Sequence, residues 1–154
     1  MSAKYEPDLS KRAPKVYEST VVKAPIEEVW RYIRDFDSLP EWHPDMNESE
    51  LKEGEGETGS VRELALEGGG TVVEKLLELS DLEHKSTYTV LETPLPMKNY
   101  VSTIKLSEVT DSGETFAEWY AFFDVTDSSQ EEETVKAIRG VYKSGLKGLA
   151  ETLE

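Results

Sequence analysis

Residues 128–154 read SSQEEETVKAIRGVYKSGLKGLAETLE, and the periodicity of this stretch decides the fold. Val135, Ile138, Val141, Tyr142, Leu146, Leu149 and Leu153 recur at helical spacing and form one continuous apolar face. Ser129 and Glu132 stand at capping-box spacing, and Glu131, Glu132 and Glu133 favour the positive end of a helix dipole. A helix from Glu131 to Leu153 runs on the order of 35 Å, the span of a small domain. Such a helix is not stable alone and needs a concave apolar surface to lie against. Gly140, Gly145 and Gly148 interrupt it, each costing about 1 kcal/mol of helix propensity against alanine. Two readings of these glycines stand open: close approach of helix and sheet, or room for a guest molecule above the sheet.

The rest of the chain supplies the surface. KVYESTVVKA (15–24) alternates, with Val16, Glu18, Thr20 and Val22 on one side, and reads as a strand. APIEEVWRYIRDF follows as a short helix, with Pro25 in its first turn and Ile26, Val29, Trp30 and Ile33 as its buried stripe. SLPEWHP allows one further helical turn. From residue 46 to about residue 125, turn signals such as EGEGETG, EGGG, SDLEHK, TPLPM and TDSG separate six runs. These lie at roughly 46–53, 60–67, 71–79, 85–92, 99–108 and 114–125. No helix intervenes, so an antiparallel meander is the economical topology. Residues 1–14 mix charges with two prolines and read as a mobile tail; 15–154 read as one domain.

The 154 residues carry 37% hydrophobic and 32% charged residues and a formal net charge of −15, an ordinary composition for a solvated domain. That field repels phosphate backbones and anionic lipid, so nucleic acid and membrane surfaces are not expected partners. The absence of cysteine excludes disulfides, thiolate nucleophiles and cysteine-bearing zinc sites. MSAKYEPDLSKRAP holds no apolar run, so neither a secretory signal nor an anchor is expected there, and a cytoplasmic location is the default. No later stretch has the apolar length that membrane insertion requires.

The order strand, helix, helical turn, six strands, long helix carries the motifs APIEEVWRYIRDFDSLPEWHP, GSVREL, VVEKLLEL, PLPMKNY and EWYAFF. Together these resemble the START-like superfamily, within it the bacterial polyketide cyclase/dehydrase branch of the SRPBCC proteins, over about residues 15–154. The resemblance implies an α+β helix-grip fold: a curved seven-stranded antiparallel sheet wrapped around a long C-terminal helix, with two short helices between strands 1 and 2. It also implies a deep cavity between sheet and helix. Fold alone does not fix function in such a family.

Several residues could serve that cavity. In TFAEWYAFFDV, Ala117, Trp119, Ala121 and Phe123 share one face, and the family pattern implies that Trp119 and Phe123 point inward. The small alanines beside Trp119 suit a pocket. Parity groups Arg62 with Leu64 and Leu66, and Val72 with Glu74, Leu76 and Glu78. The resemblance puts Arg62 and Glu74 on the cavity side, as a polar anchor for a ligand; a surface cross-strand ion pair is the alternative. Tyr88 and Tyr100, on adjacent strands, and Tyr142 of the last helix read either as pocket wall or as core. In LPEWHP, Trp42 and His43 fall at one end of the implied cavity as lid or wall. His43 and Glu74 are the weak candidates for acid–base work. No metal ligand set recurs at known spacing, and no cofactor is implied.

The loops Glu67–Gly70 and Thr93–Asn99 resemble in position the pair that closes over ligand in plant hormone receptors. They lack the receptors' loop motifs, so the chain gives no support for hormone sensing. Three functions follow for testing. The first is binding of a hydrophobic small molecule, lipid-, polyketide- or isoprenoid-like, for transport, storage or sensing. The second is a cyclase/dehydratase-type enzyme using cavity acid–base residues, and the third an acidic protein–protein adaptor, its protein partner unidentified.

Overall fold

The structure is a computed structural model that describes residues 13–154. The expected tail, 1–14, lies outside the described residues except for Ala13 and Pro14, which precede the first strand. The elements run β1 (Val16–Val22), α1 (Ile26–Arg34), α2 (Leu39–Trp42), β2 (Met46–Glu53), β3 (Val61–Leu66), β4 (Thr71–Ser80), β5 (Lys85–Glu92), β6 (Met97–Glu108), β7 (Thr115–Val125) and α3 (Glu131–Thr152). All seven strands form one antiparallel curved sheet in the order β1-β7-β6-β5-β4-β3-β2. β1 crosses from one edge through α1 and α2 to start the meander at the other. α3, about 33 Å long at 1.5 Å per residue, packs against β1, β7 and α2.

Alternation places the core. Val16 and Val22 of β1 are buried, as are Ala117, Trp119, Ala121 and Phe123 of β7. α1 turns Val29, Trp30 and Ile33 inward, and Pro25 stands at its N-cap, one residue before the first turn. Asp81, at the β4–β5 turn, ties α1 to the sheet. It accepts from Trp30 Nε1 at 2.7 Å and from Arg34 Nε at 2.9 Å, and these donors hold its carboxyl down to about 2.

Two local expectations are corrected. The Ser129–Glu132 capping box does not form. Asp127 instead accepts from the Ser129 backbone N–H at 3.0 Å and from its hydroxyl at 2.6 Å, capping a 3₁₀ turn over Ser128–Gln130 that leads into α3. An ionised carboxylate is the stronger acceptor, and it leaves the serine hydroxyl as donor. Glu78 does not share the face of Glu74 and Leu76. The β4–β5 register shifts between Leu76 and Glu78, so parity inverts; Glu78 meets Lys85 at 2.8 Å, and Leu79 packs against the core.

The glycines of α3 divide. A Cβ on Gly145 would lie 2.6 Å from Trp119 Cζ3, and one on Gly148 would overlap the Trp42 carbonyl oxygen and meet Pro44 Cδ at 2.8 Å. Both exist for close approach, with the LPEWHP segment as the neighbour at each. Gly140 meets nothing within 4 Å. None of the three borders the cavity described next.

Candidate functional site

Between the concave face of the sheet and α3 lies an internal cavity of about 70 Å³. Leu39, Leu64, Val72, Val90, Leu95 and Ile138 supply much of its apolar wall, and Glu74, Tyr88, Tyr100, Trp119 and Tyr142 also border it. The hollow is far smaller than the roughly 300–1,000 Å³ of pockets that enclose drug-sized ligands. The deep cavity implied by the family pattern is corrected in this respect: the interior is largely occupied by aromatic rings. Trp119 stacks on Tyr142 with centroids 4.3 Å apart and planes 7° apart, and Tyr88 lies 6.3 Å from Tyr100. Ala117 and Ala121 are wholly buried but do not border the cavity, so the volume they release is not pocket.

One wall is a buried ion pair. Arg62 and Glu74 face each other in the β3–β4 register, 5% and 6% exposed. Arg62 Nε and Nη2 donate to Glu74 Oε1 at 2.9 and 2.7 Å, and Nη1 donates to the Phe36 carbonyl at 2.7 Å. The guanidinium carbon lies 4.0 Å from the centroid of the Phe36 ring and 5.1 Å from that of Tyr88. The surface-pair alternative is thereby excluded. Burial pushes the Glu74 carboxyl up, and the Arg62 charge opposes that shift. Arg62 does not itself border the cavity.

The second polar feature is a hydroxyl cluster. Trp119 Nε1 donates to Tyr88 Oη at 3.1 Å and Ser102 Oγ at 3.0 Å. Ser102 Oγ bonds Tyr142 Oη at 2.6 Å, and Tyr142 Oη bonds Tyr100 Oη. Burial raises all three phenols, Tyr88 to about 12, with the Glu74 charge adding to it. Each therefore contributes stability that is full below pH about 10 and is lost as pH rises through its folded value. An absorbance titration of phenolate should show a late group of tyrosines that ionises only as the fold opens. A single step near pH 10 for every tyrosine contradicts this arrangement. Sequence reading missed Ser102, although counting by twos from Tyr100 along β6 reaches it.

The remaining candidates lie elsewhere. Trp42 and His43 are buried and border a surface groove along the C-terminal half of α3 rather than the cavity. Asp45 N–H donates to His43 Nδ1 at 3.1 Å, which makes Nε2 the protonated nitrogen, donating to the Val141 carbonyl at 2.8 Å. Both nitrogens are thus occupied, Nε2 in fastening LPEWHP to α3 and Nδ1 in the local turn to Asp45, and burial lowers the imidazole's pKa. Phe123 packs on Tyr100 at 5.6 Å, outside the cavity. Over the cavity, a Cβ on Gly70 would lie 3.9 Å from Pro94 Cγ, so the loops 67–70 and 93–99 meet there. No helix among the described residues is long and apolar enough to cross a membrane.

Known proteins share this architecture. Protein XoxI from Bacillus cereus is 35% identical with a TM-score of 0.79, covering 90% of this chain and 95% of that one. A crystal structure from Bacillus thuringiensis is 36% identical with a TM-score of 0.81, covering 90% and 97%. Abscisic acid receptor PYL10 from Arabidopsis thaliana is 32% identical over 138 residues, 86% of this chain and 75% of the receptor. The family model described as polyketide cyclase/dehydrase and lipid transport matches residues 13–154. The chain, a START-like helix-grip protein, belongs to that family.

Proposed function

We propose that this protein binds a hydrophobic small molecule between sheet and α3, for transport, storage or sensing. The observation that carries the reading is the character of the cavity: an apolar wall interrupted by one buried carboxylate and a cluster of fully buried hydroxyls. A solid core has no need of these polar groups, whose burial costs free energy unless each is paired. Pockets for small molecules have this composition, mostly apolar with a few convergent polar groups. The family description, which names lipid transport, points the same way. With about 70 Å³ of free volume, a guest enters by parting the loops 67–70 and 93–99, where the glycines at 68, 69 and 70 all have φ near +90 to +100°.

The test is thermal denaturation against a panel of prenyl alcohols, fatty alcohols and bicyclic phenols, with native mass spectrometry of the same mixtures. At least one class is expected to form a one-to-one complex and to raise the midpoint logarithmically with its free concentration. No complex and no shift with any class counts against binding.

A further inference from the structure

Resting on that reading, we propose that the cavity selects a neutral guest bearing a hydroxyl or similar hydrogen-bond donor, and rejects carboxylates. Glu74 is the one charged residue among those bordering the cavity; no lysine, arginine or histidine borders it. Arg62, the neighbouring cation, is already committed. Two of its nitrogens donate to Glu74 Oε1, the third donates to the Phe36 carbonyl, and it does not border the cavity. No protein group among the described residues donates to Glu74 Oε2. The hydroxyls of Tyr100, Tyr142 and Ser102 are bonded to one another, and Tyr88 accepts from Trp119. A guest therefore meets a carboxylate whose Oε2 takes no donor from the described residues, the hydroxyl of Tyr88, and no cation.

The consequence follows from charge and hydration. A carboxylate guest sheds its water to enter an apolar wall and places a second negative charge beside the first, with no cation on the wall to offset either loss. A hydroxyl that donates to Oε2 forms a charge-assisted hydrogen bond, about twice the strength of a neutral one. The preference is thus set by the one oxygen of the buried pair that Arg62 leaves unused.

Three bicyclic probes of nearly one shape separate the possibilities: 2-naphthol, its methyl ether 2-methoxynaphthalene, and 2-naphthoate, each titrated calorimetrically into the full chain. Naphthol is expected to bind tightest, the ether about tenfold or more weaker because it lacks the donor, and naphthoate weaker still. In the double variant Arg62→Met/Glu74→Leu, naphthol and ether are expected to converge. Because that variant removes both charges together, it escapes the unfolding that a lone buried charge invites. Naphthoate binding as tightly as naphthol, or an ether indistinguishable from naphthol in the unaltered protein, overturns the inference and leaves the binding reading standing. Failure of all three probes to bind, alongside an empty alcohol panel, removes both.

Discussion

Glu74→Leu alone is expected to destabilise the fold by about 3–5 kcal/mol, the usual cost of stranding one partner of a buried ion pair. Arg62 is 5% exposed, so without Glu74 its charge sits beside Phe36 and Tyr88 with one carbonyl for company. Adding Arg62→Met should recover most of the loss, because replacing both charges by apolar groups of similar size is often neutral or better. A deficit of about 1 kcal/mol remains, since the Phe36 carbonyl loses its donor. Urea denaturation of the single and double variants measures this directly. A single variant within about 1 kcal/mol of the unaltered protein, as at a surface pair, contradicts the burial argument.

The second large effect belongs to Gly148. Gly148→Ala adds a methyl that overlaps the Trp42 carbonyl oxygen, a backbone atom held by α2 and by the His43–Val141 bond. Overpacking of this kind costs about 1–3 kcal/mol, against a helix-propensity gain of about 1 kcal/mol. The net is expected to be destabilising because neither backbone can give way cheaply. Gly140→Ala is the control: with nothing within 4 Å, it keeps the propensity gain and should stabilise by about 0.5–1 kcal/mol. Equal midpoints for the two variants in thermal denaturation contradict close approach at Gly148.

These cases mark how far the sequence could be read. The helix-grip order was legible because each element carries its own local signal: alternation in β1 and β7, the helical face of α3, and glycine-rich turns between strands. Which charged residues faced inward was not. Arg62 and Glu74 share a parity with Leu64 and Leu76, but Glu63 and Lys75 on the other parity are also charged, so only the resemblance chose between faces. A bulge after Leu76 then broke the count for Glu78, and nothing local announces a bulge. Placing His43 and Trp42 on the cavity wall failed because the glycines that receive them lie about a hundred residues downstream. The volume of the cavity depends on how Trp119 and Tyr142 stack, a pairing across elements that no spacing encodes.

The central claim is that a guest occupies the space between the sheet and α3. Methyl-labelled NMR spectra of the protein titrated with 2-naphthol test it most directly. The account predicts shifts concentrated on the methyl groups of Leu64, Val72, Val90 and Ile138, with the Trp119 indole signal moving alongside them. Saturating probe that leaves these signals in place, or moves only residues on the outer face of β1, β6 and β7, contradicts it.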